Sequence, residues 1–157
     1  MDYILLLRGI NVGGKNKVSM PILKEQLVAV LQQCFQKEYE FQLNFSLVNT
    51  QDFLAEKVAD WWEEEMARRD VLFVTQDLTI DAISDSLQAM PLGNERLYIG
   101  HKAIFWGKMD EADYLKTAYH KQLIKQAYYR QLTIRNGKTY AKLRELAEER
   151  TKNDRLI

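Results

Sequence analysis

Apolar residues run unbroken from Tyr3 to Leu7 before Arg8 and Gly9 interrupt them, which predicts a short strand buried on both faces. Ser19 offers a helix N-cap and Pro21 falls where a first helical turn tolerates proline. Leu23, Leu27, Val30, Leu31 and Cys34 then recur at steps of three and four, predicting a helix over 22–36. Phe41, Leu43, Phe45 and Leu47 alternate with Gln42, Asn44 and Ser46, so the next element is expected to be a half-buried strand with Phe45 and Leu47 inward. Thr50 is expected to cap a helix through Trp62, with Phe53, Leu54, Val58 and Trp61 on its apolar side. The run DVLFVT at 70–75 predicts a second buried strand.

Thr79 opens a predicted helix that reaches about Ala89, turns Ile80, Ile83 and Leu87 inward, and is ended by Pro91 and Gly93. Residues 97–100 and 103–107 predict a hairpin turning at His101 and Lys102. Leu115, Tyr119, Leu123 and Ala127, four apart, predict a helix from about Asp113 to Ala127. A short strand at 132–134 leads to a last helix starting near Asn136, with Tyr140, Leu143, Leu146 and Ala147 inward. This order of elements predicts an α+β fold of two small lobes, a shortened one over 1–68 and a second over 69–157 that carries the terminal helices.

Charge changes the picture only through its distribution, because the formal net charge is +0. Between Glu38 and Glu95 there are 13 acids and 3 bases, whereas Tyr114 to Arg144 holds 8 bases and no acid. Such asymmetry suits an anionic partner, and two complementary faces or subunits would produce it equally. Within the basic stretch Lys116, Lys121, Lys125, Arg130, Arg135, Lys138, Lys142 and Arg144 are interleaved with Tyr114, Tyr119, Tyr128, Tyr129 and Tyr140. Cations that track phosphates and rings that stack on bases are what single-stranded nucleic acid binding uses. A solvated helical face explains the same pattern.

Other chemistry is sparse. Cys34 is the single cysteine, which excludes an intramolecular disulfide and favours a reducing compartment. The start MDYILLLRG carries an acid and too short an apolar run for a signal peptide, so a soluble cytoplasmic protein without a membrane partner is expected. His101 and His120 lack cysteine or carboxylate neighbours at ligand spacing, so no metal site is expected, and no cofactor is implied. No nucleophile-elbow or Ser-His-Asp order appears, and Glu63, Glu64 and Glu65 read as a solvated helix end.

The loop from Gly9 to Asn16 reads G-x-x-x-x-G-K-N, one residue short of the nucleotide-binding phosphate loop, after a buried strand and before a helix. Asn16 lacks the hydroxyl that would hold magnesium, and the helix signals Ser19 and Pro21 lie beyond Lys15, which argues against nucleotide hydrolysis. Two readings stay open. One is a looser anion nest using Arg8, Lys15 and Lys17; the other is a turn in which Gly9, Gly13 and Gly14 supply positive φ. Near the other end, Asn136 is a candidate N-cap and Arg135 would stand beside the positive pole of the last helix, where a cation calls for an anion. That anion is either a ligand or an acid of the middle segment.

At LLLRGINVGGKNKVSM the chain resembles the bacterial domain-of-unknown-function 1697 family, and Thr133, Arg135, Asn136 and Thr139 match that family's second motif. LYIGHKAIFWGK and KTAYHKQLIK resemble its streptococcal-type members. The resemblance implies two related lobes, each like a ferredoxin-like half, in a cytoplasmic protein, and it implies no reaction. It also implies a shared polar site, for which Arg8, Asn11, Gly13, Gly14, Lys15, Asn16, Arg135 and Asn136 are the candidates. Against the family pattern, a segment holding one strand and a Ser-Gly-Asn motif is missing after Gln26. The first lobe is then expected to keep two strands, paired in parallel if a fused helix crosses between them. An open edge there would invite a homodimer. The expected function is binding of a phosphate-bearing ligand or nucleic acid by the glycine loop and the basic stretch; the alternative is a protein-interaction or self-association module.

Overall fold

The computed structural model describes residues 3–8, 44–75, 78–110, 112 and 114–154. The predicted helix over 22–36, the glycine loop, Cys34 and the missing segment after Gln26 lie outside the described residues.

Two antiparallel sheets organise the chain. In the smaller, β1 (Tyr3–Arg8) pairs with β2 (Asn44–Asn49), with Tyr3 opposite Asn49 and Arg8 opposite Asn44. The expected parallel pairing is therefore corrected. The end of β1 and the start of β2 are neighbours across the pair, whereas a parallel pair would set them at opposite ends. The larger sheet holds β3 (Arg68–Val74), β4 (Arg96–Ile99), β5 (Ile104–Lys108) and β6 (Leu132–Asn136) in the order β4-β5-β3-β6, every neighbouring pair antiparallel. Four α-helices among the described residues accompany them: α1 (Thr50–Ala55), α2 (Ile80–Gln88), α3 (Ala118–Lys121) and α4 (Gly137–Asp154). This is an α+β fold.

β3 explains why DVLFV is continuously apolar. Its odd positions Val71 and Phe73 join Phe105, Leu6, Val48, Phe53, Trp62 and Tyr140 in one core, so residues from both sides of position 68 share it. Aromatic rings set that core edge to face, with Phe105 at 5.1 Å from Trp62 and 5.5 Å from Tyr140. The even position Leu72 faces a second core with Ile104, Trp106 and Leu132, closed by Ile80, Ile83 and Leu87 of α2 and by Tyr119 and Leu123. A strand covered on both faces has no polar side to alternate with.

Local signals hold where tertiary contacts do not oppose them. Thr79 caps α2, whose inward residues are Ile80, Ile83 and Leu87, and the hairpin turns at His101 and Lys102 as expected. Elsewhere packing overrides periodicity. Ser46, expected outward, is 1% exposed, while Leu47 is 40% exposed. The face of β2 that meets the core is the one shared by Ser46 and Val48, because Ser46 Oγ lies 2.7 Å from Thr133 Oγ1 and the two hydroxyls satisfy each other. α1 is capped by Asn49 rather than Thr50, its Oδ1 accepting from the Gln51 and Asp52 amides at 2.8 and 3.3 Å.

α1 also ends at Ala55, far short of Trp62. Glu56 leaves helical geometry (φ −59°, ψ 125°) so that its buried carboxylate can accept the His101 amide at 3.1 Å and the Lys102 amide. A Cβ on Gly100 would fall 2.2 Å from that carboxylate, which is why glycine stands there. The expected helix over 113–127 is a chain of short turns at 114–116, 118–121, 123–125 and 127–131, leaving Leu115 and Ala127 exposed. In α4, Tyr140 and Ala147 are buried but Leu146 is 49% exposed, as no described residue covers that flank. No helix among the described residues is long and apolar enough to cross a membrane.

The hydroxyl pair joining the two sheets gives an asymmetric prediction. Thr133 Oγ1 also donates to the Phe73 carbonyl at 3.3 Å, so Ser46→Ala leaves it bonded and is expected to cost about 1 kcal/mol in urea unfolding. Thr133→Val strands the Ser46 hydroxyl in the core and is expected to cost more, about 2–3 kcal/mol.

Candidate functional site

The glycine loop begins where β1 ends. Arg8 is paired across the sheet with Asn44, and the Asn44 side-chain amide donates to the Arg130 carbonyl at 3.4 Å. Strand partners lie about 5 Å apart between Cα atoms, so the root of the loop and the basic stretch are one strand away from each other. Of the candidate residues, Asn11, Gly13, Gly14, Lys15 and Asn16 lie outside the described residues.

Lys121, Lys125, Arg130 and Lys138 are exposed and form no ion pair among the described residues. Several acids of the middle segment are held by nearer bases: Asp60 by Lys57 at 3.1 Å, Glu64 by Arg96 at 2.8 Å and Asp52 by Lys102 at 3.6 Å. Arg144 is committed elsewhere, since it donates to the Leu54 carbonyl at 3.1 Å and to the Tyr140 hydroxyl at 3.2 Å. Four of the five interleaved rings are likewise engaged within the fold. Tyr119 and Tyr140 are buried, the Tyr128 hydroxyl bonds Ser86 Oγ at 3.0 Å, and Tyr129 packs on the second core. These rings are not free to stack on bases; the exposed cations remain available to phosphate.

Arg135 and Asn136 sit on β6. The Asn136 side chain accepts the Thr139 amide at 2.8 Å, the N-cap role expected of it. Arg135 is half-buried and donates to the Ile134 carbonyl at 2.8 Å; loss of water around the guanidinium lowers its pKa. Arg130, which lies outside both family motifs, is the basic residue whose backbone meets Asn44 of β2, the residue opposite Arg8. Only the bond from Asn44 marks it out, and sequence spacing carries no trace of that bond.

A second titratable group whose pKa burial lowers is Lys108, at the end of β5. Its Nζ reaches Asp70 Oδ2 at 3.0 Å and lies 3.4 Å from the Tyr119 ring centroid; Arg68 Nε clasps both Asp70 oxygens at 3.1 and 2.9 Å. Burial pulls the Lys108 pKa below the usual lysine value, and Asp70 opposes that pull. Beside them the buried Glu95 accepts Trp106 Nε1 at 2.8 Å, the Tyr119 amide at 3.3 Å and the Ala118 amide. A buried lysine of lowered pKa is a functional-site candidate in general, but this one is 2% exposed, and Asp70 and the Tyr119 ring occupy it. We assign it to stability.

Removing the lysine while keeping the carboxylate is expected to be costly: Lys108→Met should lose about 3 kcal/mol in urea unfolding, and Asp70→Asn with Lys108→Met should lose less than the sum of the single changes. Because Lys108 releases its proton more readily folded than unfolded, the unfolded chain binds more protons from that lowered value up to the usual lysine range near ~10.4. Its contribution to stability therefore rises with pH through that window, and Lys108→Met should flatten the slope.

Among the described residues no group of three or more His, Cys, Asp or Glu side chains is gathered to hold a metal ion. Comparison with known proteins places the chain. A family model described as protein of unknown function, DUF1697, matches residues 1–30. The solved structure of the conserved bacterial protein SP0830 from Streptococcus pneumoniae is similar over 92% of this chain and 97% of that one, at 38% identity and a TM-score of 0.81. No curated protein matches the chain. With likeness of sequence and fold running through nearly its whole length, the chain belongs to the DUF1697 family.

Proposed function

We propose that the protein binds a phosphate-bearing anion where the glycine loop leaves β1 beside the basic stretch. The observation that carries this reading is the Asn44 bond to the Arg130 carbonyl, which sets Arg130 next to the strand pair that ends in Arg8. Lys121 and Lys125 on the neighbouring turns add exposed charge that forms no ion pair among the described residues, and Gly13, Gly14, Lys15 and Asn16 are the glycine-loop residues this reading assigns to the ligand. With Tyr119 and Tyr140 buried and Tyr128 and Tyr129 packed against the second core, the ligand is read as a phosphate chain rather than as stacked bases. Arg135 and Asn136 serve the fold of β6 and α4 in this reading. We further propose a ferredoxin-like origin for the larger sheet, supported by its strand-helix-strand-strand-helix-strand order. Lobes over 1–68 and 69–157 and a cytoplasmic setting belong to the same proposal.

Self-association is the second reading, favoured by β4, which among the described residues pairs only with β5 and stands last in the sheet order. Salt separates the two: phosphate binding weakens steeply with ionic strength, whereas strand pairing through backbone groups responds little.

The test is a thermal melt with inorganic tripolyphosphate. At a hundred times its dissociation constant it should add ~2.7 kcal/mol, or roughly 5–11 °C. The shift should shrink with added salt and disappear in Lys15→Ala and in Arg130→Glu. A melt that tripolyphosphate does not move, or a shift that survives both substitutions, sinks the proposal.

A further inference from the structure

The far end of β2 borders a different feature. Where Asn44 meets the basic stretch, Leu47 to Asn49 instead line a cleft of about 320 Å³, which α1, the end of β3, the first turn of α2 and the β4–β5 turn complete. That volume is at the lower end of the range in which proteins hold small molecules. Leu47, Val74 and Leu78 are its apolar lining, and Leu47 is 40% exposed.

Charge at the mouth is unevenly matched. Lys102 and Asp52 neutralise each other across 3.6 Å, both half-exposed. Asp81, also on the lining, has no ion-pair partner among the described residues. It stands in the first turn of α2. Among the described residues Asp81 is thus a carboxylate without an ion-pair partner, on a lining it shares with Leu47, Val74 and Leu78.

Both rims are fixed in advance. The β4–β5 turn is held by the buried Glu56 through the His101 and Lys102 amides, and the α2 rim by Thr79, whose Oγ1 accepts the Ala82 amide at 3.3 Å, and by buried Ile80. Preformed walls of this kind reduce the ordering that binding costs. We infer that this cleft is a site for a small organic amine with an apolar body: the ammonium pairs with Asp81, and the body covers Leu47, Val74 and Leu78. The site is separate from the proposed phosphate site and stands or falls without it.

Amide NMR on the intact chain tests this with three probes of one shape: 2-phenylethylamine, neutral 2-phenylethanol and anionic 3-phenylpropionate. Saturable shifts at Leu47, Asp81 and Lys102 are expected for the amine, with the propionate bound at least about tenfold more weakly. Asp81→Asn should weaken the amine about fivefold or more and leave the alcohol unchanged. Equal binding of amine and propionate to the unaltered chain overturns the inference, and that comparison needs no variant to fold. Shifts confined to other residues, no saturation up to about 10 mM, or an amine affinity that Asp81→Asn leaves intact overturn it as well.

Discussion

Asp70 carries a carboxylate into the larger sheet with 0% of its surface exposed, and much of that face is arranged around satisfying it. An isolated buried carboxylate would cost many kcal/mol. Arg68, two positions back on the same strand, and Lys108, on the neighbouring strand, together supply three hydrogen bonds. Tyr119 lies against the lysine, and to stay there its helix must begin at Thr117, which caps it while Glu95 takes the amides of Ala118 and Tyr119. A continuous helix over 113–127 would leave those amides in its interior, bonded to its own backbone. The charge network therefore breaks the segment into turns, and those turns hold Lys121 and Lys125 at the surface.

A second constraint joins the sheets. Ser46 and Thr133 exchange a hydrogen bond within the core, and Asn44 reaches Arg130 from the same strand. β2 is thus pinned against β6, with its two ends facing different chemistry. The Asn44 end adjoins exposed cations beside the root of the glycine loop. The Leu47 to Asn49 end lines a cleft in which Asp81 has no ion-pair partner among the described residues. Family membership accounts for the fold these surfaces share with a streptococcal relative, but chemistry resides in the side chains placed on it.

Elements whose neighbours in space are also neighbours in sequence were legible. The buried run of β3, the Thr79 cap of α2, the turn at His101 and Lys102 and the Asn136 cap each depend on residues within a few positions of one another. Periodicity failed where a distant partner changed the preferred face. Ser46 reads as solvent-facing until Thr133, 87 residues away, gives its hydroxyl a partner. Glu56 reads as helical until the hairpin amides, 45 and 46 residues on, draw it out.

The sequence by itself determined the α+β class, the positions of the larger sheet's strands and the concentration of cations after Tyr114. Each follows from local burial pattern or from composition, which pairing does not alter. Only the tertiary structure decided the antiparallel pairing of β1 and β2, the burial of Asp70 with Lys108, the placing of the Arg130 backbone beside β2, and the cleft lined by Leu47. Each of these rests on groups far apart in the chain. Hydrogen bonding and desolvation act over a few ångströms in space, and a one-dimensional pattern does not record which groups those ångströms join.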